Sequence, residues 1–112
     1  MEFEVSFIEK DYCANSEEPK VLYWGPERIT LLSLCTRFYE KLYQVVCNSS
    51  HHVDIKTINF IISKNSRRDT QYLLEINDCC VYAGFEESAF KDFIMDSTKL
   101  LYFIDYRESS VV

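Results

Sequence analysis

Residues 53–82, VDIKTINFIISKNSRRDTQYLLEINDCCVY, decide the fold. Val53 and Ile55 alternate with polar neighbours, and Ile58, Phe60 and Ile62 do the same one residue out of phase. Period two is the mark of a strand with one buried face, and the phase change near Thr57 predicts a bulge. Lys64 to Asp69 is polar and reads as a connection, after which Tyr72, Leu74 and Ile76 alternate again. Asn77-Asp78 suits a two-residue hairpin turn before Cys79-Cys80-Val81-Tyr82, because Asn and Asp tolerate positive φ. The alternative is one uninterrupted strand over 70–84. Either way, strands follow one another here without an intervening helix, which argues against a doubly wound parallel sheet and for an antiparallel meander.

Upstream of the meander, Leu31, Leu34, Cys35, Phe38, Leu42, Val45 and Val46 recur at helical spacing and predict a long helix over about 26–46. Pro26 suits its first turn, where a missing N–H costs nothing. Arg37, Glu40, Lys41 and Gln44 fall off the apolar stripe. Phe3, Val5 and Phe7 predict a first strand, and Val21 to Trp24 a short second one. Between them Glu9 to Lys20 reads as a polar surface loop. Downstream, Phe85, Ala89, Phe90, Phe93 and Ile94 predict a short helix, and Leu100 to Ile104 an interior strand apolar on both faces. The expected order is β-β-α-β-β-β-α-β. This is an α+β fold in one domain spanning 1–112, a mostly antiparallel sheet of about five to six strands with one long and one short helix on one face.

Composition narrows the function classes. The chain carries 18 acidic and 12 basic residues, for a net charge of −6. That balance disfavours nucleic acid and anionic membrane surfaces and favours a basic protein partner. Eight Tyr and eight Phe make the chain rich in aromatics, much of which belongs in the core, and tyrosine in such number also suits a contact surface. No apolar stretch approaches the roughly 18–20 residues of a membrane span. The acidic start, Met1-Glu2-Phe3-Glu4, does not resemble a signal peptide. Five cysteines, Cys13, Cys35, Cys47, Cys79 and Cys80, are an odd number without C-x-x-C spacing. They read as reduced thiols in a cytoplasmic protein.

Chemistry-bearing patterns are few. His51-His52 with Asp54 is the most metal-like group, but successive side chains of an extended segment diverge, and the cysteines lack zinc spacing. Cys13 lies among carboxylates that raise a thiol's pKa, and Cys35 lies on the helix stripe, so neither suits a nucleophile. Neither a P-loop nor a Gly-x-Gly-x-x-Gly or Gly-x-Ser-x-Gly motif occurs. The expectation is a protein with no catalytic residues, no metal and no cofactor.

What remains is acidic surface. The first group is Glu9, Asp11, Glu17 and Glu18 around Tyr12; the second is Glu86, Glu87 and Asp92 at the short helix; the third is Asp105 and Glu108. Helix-dipole compensation accounts for acids in a first helical turn. The first group has no such structural duty and sits in a long loop, where binding residues concentrate. Asp11, Tyr12, Glu17, Glu18, Glu86 and Glu87 are the candidate partner-binding residues.

Size, acidity, α+β pattern and the lack of catalytic residues together resemble the immunity proteins of bacterial toxin–immunity pairs, including those of contact-dependent growth inhibition. The resemblance implies a cytoplasmic inhibitor that occludes a basic, nuclease-type toxin domain. Its carboxylates would pair with the toxin's Lys and Arg, and its tyrosines would serve as anchors. An adaptor or subunit of a multi-protein complex is the alternative reading, and a small enzyme with a scattered active site a third.

Overall fold

In the computed structural model, residues 4–12, 18–48, 55–65, 67 and 69–96 are described, with side chains in the long helix through Gln44. Among the described residues five strands form one sheet: β1 (Glu4–Asp11), β2 (Lys20–Tyr23), β3 (Thr57–Lys64), β4 (Thr70–Ile76) and β5 (Cys79–Gly84). Their order across the sheet is β2-β1-β3-β4-β5. Only β1 and β3 run parallel; the other neighbours are antiparallel. The long helix α1 (Ile29–Asn48) joins β2 to β3, and the short α2 (Glu87–Met95) follows β5. The α+β fold expected from the sequence, with its mostly antiparallel sheet and one long and one short helix, is the fold observed. The strand expected at Leu100–Ile104 lies outside the described residues.

The helix stripe buries as its spacing demands. Leu31, Cys35, Phe38 and Leu42 are all buried and form a single core with Ile58, Phe60, Ile62, Tyr72, Leu74 and Ile76. Alternate residues of β3 and β4 therefore face α1. Phe90 and Ile94 of α2 join the same core, so both helices cover one face of the sheet. Aromatic rings set the packing at its centre. Phe60 stacks on Phe7 at 5.2 Å between centroids and meets Phe38 edge-on at 6.1 Å. These are the offset and T-shaped geometries that ring quadrupoles prefer.

Asn77 and Asp78 have φ of 52° and 63°, the pair of positive values that a tight hairpin turn requires. This makes 70–84 a hairpin rather than one strand. Asn77 has a second duty. Its side-chain oxygen accepts from the backbone N–H of Lys56 at 2.7 Å and of Thr57 at 3.2 Å, and its own N–H donates to the Thr57 carbonyl at 2.9 Å. The turn thus fixes where β3 begins.

Three expectations need correction. The phase change near Thr57 is the start of β3, not a bulge: β3 pairs with β1 without interruption from Glu4↔Thr57 to Asp11↔Lys64. The bulge lies in β5 instead, where Leu74 faces Tyr82 but Glu75 faces Cys80, leaving Val81 as the extra residue. The polar loop expected from Glu9 starts later, because β1 continues through Asp11 and pairs with β2. Thirdly, Phe85 and Ala89 are exposed rather than on the buried side of the short helix: Phe85 precedes α2, which begins at Glu87, and within α2 it is Phe90 and Ile94 that are buried.

Candidate protein-binding surface

The topology gathers the described candidate residues at one end of the sheet. Parallel β1 and β3 end together at Asp11 and Lys64; β4 starts opposite Lys64 at Thr70, and β5 ends at Gly84 opposite Tyr72. Glu86 and Glu87 follow immediately, as the N-cap and first residue of α2. The strands that carry Asp11 and lead into α2 are nevertheless not neighbours. Three inter-strand steps separate β1 from β5, roughly 14 Å at the usual spacing. Between them, the half-buried Lys64 ends β3 and the exposed Arg67 lies in the connection from β3 to β4.

On the α2 side the acids have structural work. Glu87 pairs with Lys91 one turn on, at 3.7 Å, and lies at the positive end of the helix dipole. On the β1 side, Glu9 is held by Arg28 through an Nε–Oε1 bond of 2.9 Å, with both side chains less than a fifth exposed. Burial alone would lower the Arg28 pKa; the hydrogen bond and charge of Glu9, helped by Tyr72 and Glu87, reverse this and raise it. Tyr72 is itself raised, first by burial and then by the charge of Glu87, against the opposing pull of Arg28. Glu9, Arg28, Tyr72 and Glu87 thus tie β1, the approach to α1, β4 and α2 together. This cluster braces the fold and takes Glu9 out of the exposed acidic surface.

Asp11 and Glu18 are exposed, and Tyr12 is half-buried with its N–H donating to the Lys64 carbonyl at 2.9 Å. Glu17 lies outside the described residues, as do His51, His52, Asp54, Asp105 and Glu108. Asp11 faces Lys20, the first residue of β2. The first acidic place therefore opens directly onto β2, and β2 is unlike every other strand. All four of its residues are exposed: Val21 is 55%, Leu22 48% and Tyr23 85% accessible. Ile29, at the start of α1, adds another exposed apolar side chain. Trp24 anchors the far end of the strand, donating its indole N–H to the Ile8 carbonyl at 2.9 Å and packing on Phe7 at 5.3 Å. A rigid base thus carries a small apolar surface with Asp11, Glu18 and Glu27 around it.

Val21, Leu22, Tyr23 and Ile29 are absent from the set of residues expected from the sequence. Their apolar character was readable, but three consecutive apolar residues in a strand ordinarily signal burial. Exposure comes from β2 being the last of the described strands in the sheet, a tertiary property. The one local signal is brevity, since a four-residue strand closed by Gly25-Pro26 suits an edge.

The thiols divide. Cys35 is fully buried, and burial pushes its pKa up to about 12. Cys79 and Cys80 are free and exposed, so the apolar run that holds them does not bury them. Cys80 donates to the Tyr82 carbonyl at 3.2 Å. Cys13 and Cys47 are outside the described side chains. Among the described residues no group of three or more His, Cys, Asp or Glu is placed to hold a metal. No helix among them is long and apolar enough to cross a membrane.

No known protein family, no curated protein and no solved structure matches this chain.

Proposed function

We propose that the chain is an acidic protein-binding module whose contact surface is β2 with the acids beside it. The observation that carries this reading is the run of Val21, Leu22 and Tyr23, each about half exposed or more, next to exposed Asp11 and Glu18. Apolar anchors rimmed by charge are the anatomy of a protein interface, and tyrosine is enriched in its energetic centre. Within this reading the chain acts as a cytoplasmic immunity protein that occludes a basic toxin domain and has no activity of its own. The net charge of −6 supports a basic partner, because complementary fields speed encounter.

The exposed apolar run also favours a second reading, that of a subunit or adaptor with a constant partner. Copurification from the native source separates the two. An immunity protein brings down one toxin, encoded beside it, and restores growth when that toxin is expressed. An adaptor brings down a multi-subunit complex. Recovery of the chain alone, with turnover of a nuclease, esterase or phosphatase substrate, overturns both.

A further inference from the structure

We infer that the free edge of β2 receives an extended, Lys- or Arg-bearing segment of a partner protein as an added strand, an inference that rests on the protein-binding reading above. The hydrogen-bond pattern of the β1–β2 hairpin shows which backbone groups are available. Trp24 N–H donates to the Phe7 carbonyl at 3.1 Å, so Phe7 and Trp24 continue the register of Ile8↔Tyr23 as a hydrogen-bonded pair. Antiparallel pairs alternate between bonded and non-bonded types. Leu22 and Lys20, opposite Glu9 and Asp11, therefore turn their backbone groups toward β1. Val21 and Tyr23 turn theirs away from it. Among the described residues β2 has no neighbour on that side.

Native sheets usually blunt such an edge with charge, proline, a bulge or a covering element. Here the strand has one lysine, Lys20, at its end, and no proline or register shift interrupts its pairing. Its apolar side chains are open to solvent on both faces: Leu22 shares the helix face with Glu9, and Val21 and Tyr23 share the opposite face. An added strand would gain main-chain hydrogen bonds from Val21 and Tyr23 and alternate side-chain contacts along the same row.

Charge selects the occupant. Asp11, Glu18 and Glu27 are exposed around β2, where the described cations are Lys20, opposite Asp11, and the half-buried Lys10, opposite Val21, while Arg28 is held by Glu9. Edge-to-edge pairing of two copies would bring two such acidic sets together on chains that each carry −6. A segment with Lys or Arg meets the opposite situation at both ends of the strand.

The test uses a phage-displayed library of random eight-residue peptides selected on the whole protein. The expected winners alternate apolar or β-branched residues with Lys or Arg. Their synthetic, fluorescein-labelled versions should slow amide exchange at Val21 and Tyr23. Val21→Pro should weaken their binding at least tenfold, because it removes an outward N–H and leaves the bonds to β1 in place. Val21→Thr, which keeps that N–H, should change it less than threefold. No enrichment, enriched acidic peptides, or unchanged exchange at Val21 and Tyr23 in the wild-type protein overturns strand addition. So does a dimer in sedimentation that Val21→Pro dissolves, because the occupant is then a second copy. A copurified partner that binds Val21→Pro as tightly as wild type overturns strand addition and leaves the protein-binding reading standing. Peptide capture at β2 by a chain that copurifies with no protein does the reverse.

Discussion

Val21-Leu22-Tyr23 and Phe60-Ile61-Ile62 are both runs of three apolar residues in strands, and they meet opposite fates. The second run is at most 1% exposed, whereas the first is between 48% and 85% exposed. Composition does not separate them; position in the sheet does. β3 is the central strand, with β1 and β4 on either side and α1 above Phe60 and Ile62. Among the described residues β2 has one neighbour and lies at the rim. The lesson is that the same chemistry is buried in one place and left open to solvent in the other.

The largest expected effect separates these runs directly. Phe60→Ala removes a ring that contacts Phe7 and Phe38 and should cost about 3–5 kcal/mol, through lost burial and the cavity left behind. Leu22→Ser, on a half-exposed side chain, should stay within about 0.5 kcal/mol. Chemical denaturation of the two variants measures the contrast. Similar losses for both would mean that β2 belongs to the core.

Cys35 sharpens the contrast from the helix side. Cys35→Ser should destabilise by about 1–3 kcal/mol, because a hydroxyl is placed where no partner is assured. Its raised pKa also sets a pH dependence. The folded thiol keeps its proton up to about 12, while the unfolded thiol loses it from its ordinary value of 9.0. Above pH 9 the unfolded state binds fewer protons, so stability is fully present below that pH and declines as pH rises toward 12. Tyr72, also raised, adds a decline of the same sign above its ordinary 10.0. Denaturation between pH 8 and 11 should show a steeper loss for wild type than for Cys35→Ala. In the same pH range Cys79 and Cys80 should react with an alkylating reagent and Cys35 should not.

A smaller effect is expected at the brace between the two regions. Glu9→Gln weakens the charge-assisted bond to Arg28 and should cost about 1 kcal/mol, since both side chains retain some contact with water. Thermal melting of the variant measures it. A loss well beyond that would make the cluster of Glu9, Arg28, Tyr72 and Glu87 a larger determinant of the fold than its partial burial suggests.

Periodicity carried most of the architecture in the sequence. The i, i+4, i+7, i+11 burial of Leu31, Cys35, Phe38 and Leu42 and the alternation of Tyr72, Leu74 and Ile76 are local patterns, and both were legible. So was the Asn77-Asp78 turn, because positive φ restricts the residues that fit. Strand boundaries were less so. The charged residues Glu9, Lys10 and Asp11 look like loop, but they are strand residues because β2 and β3 pair with them on either side. The candidate surface was half legible for the same reason. Exposed acids at Asp11 and Glu18 follow from hydrophilicity, whereas the exposure of Val21, Leu22 and Tyr23 follows from strand order, which involves residues distant in sequence.

The central claim is that β2 and its neighbouring acids form the binding surface, and the most direct test is kinetic. Association and dissociation with the copurified partner are measured at two salt concentrations for wild type and two variants. Changing Asp11 and Glu18 together to Ser should slow association and flatten its salt dependence, while leaving folding within about 0.5 kcal/mol per exposed charge. Changing Leu22 and Tyr23 together to Ser should mainly speed dissociation, with a loss of about 2–4 kcal/mol if they are the anchors. Unchanged rates in both variants at both salts, with binding lost instead on changing Glu86 and Glu87 to Ser, would contradict the account and move the surface to the start of α2.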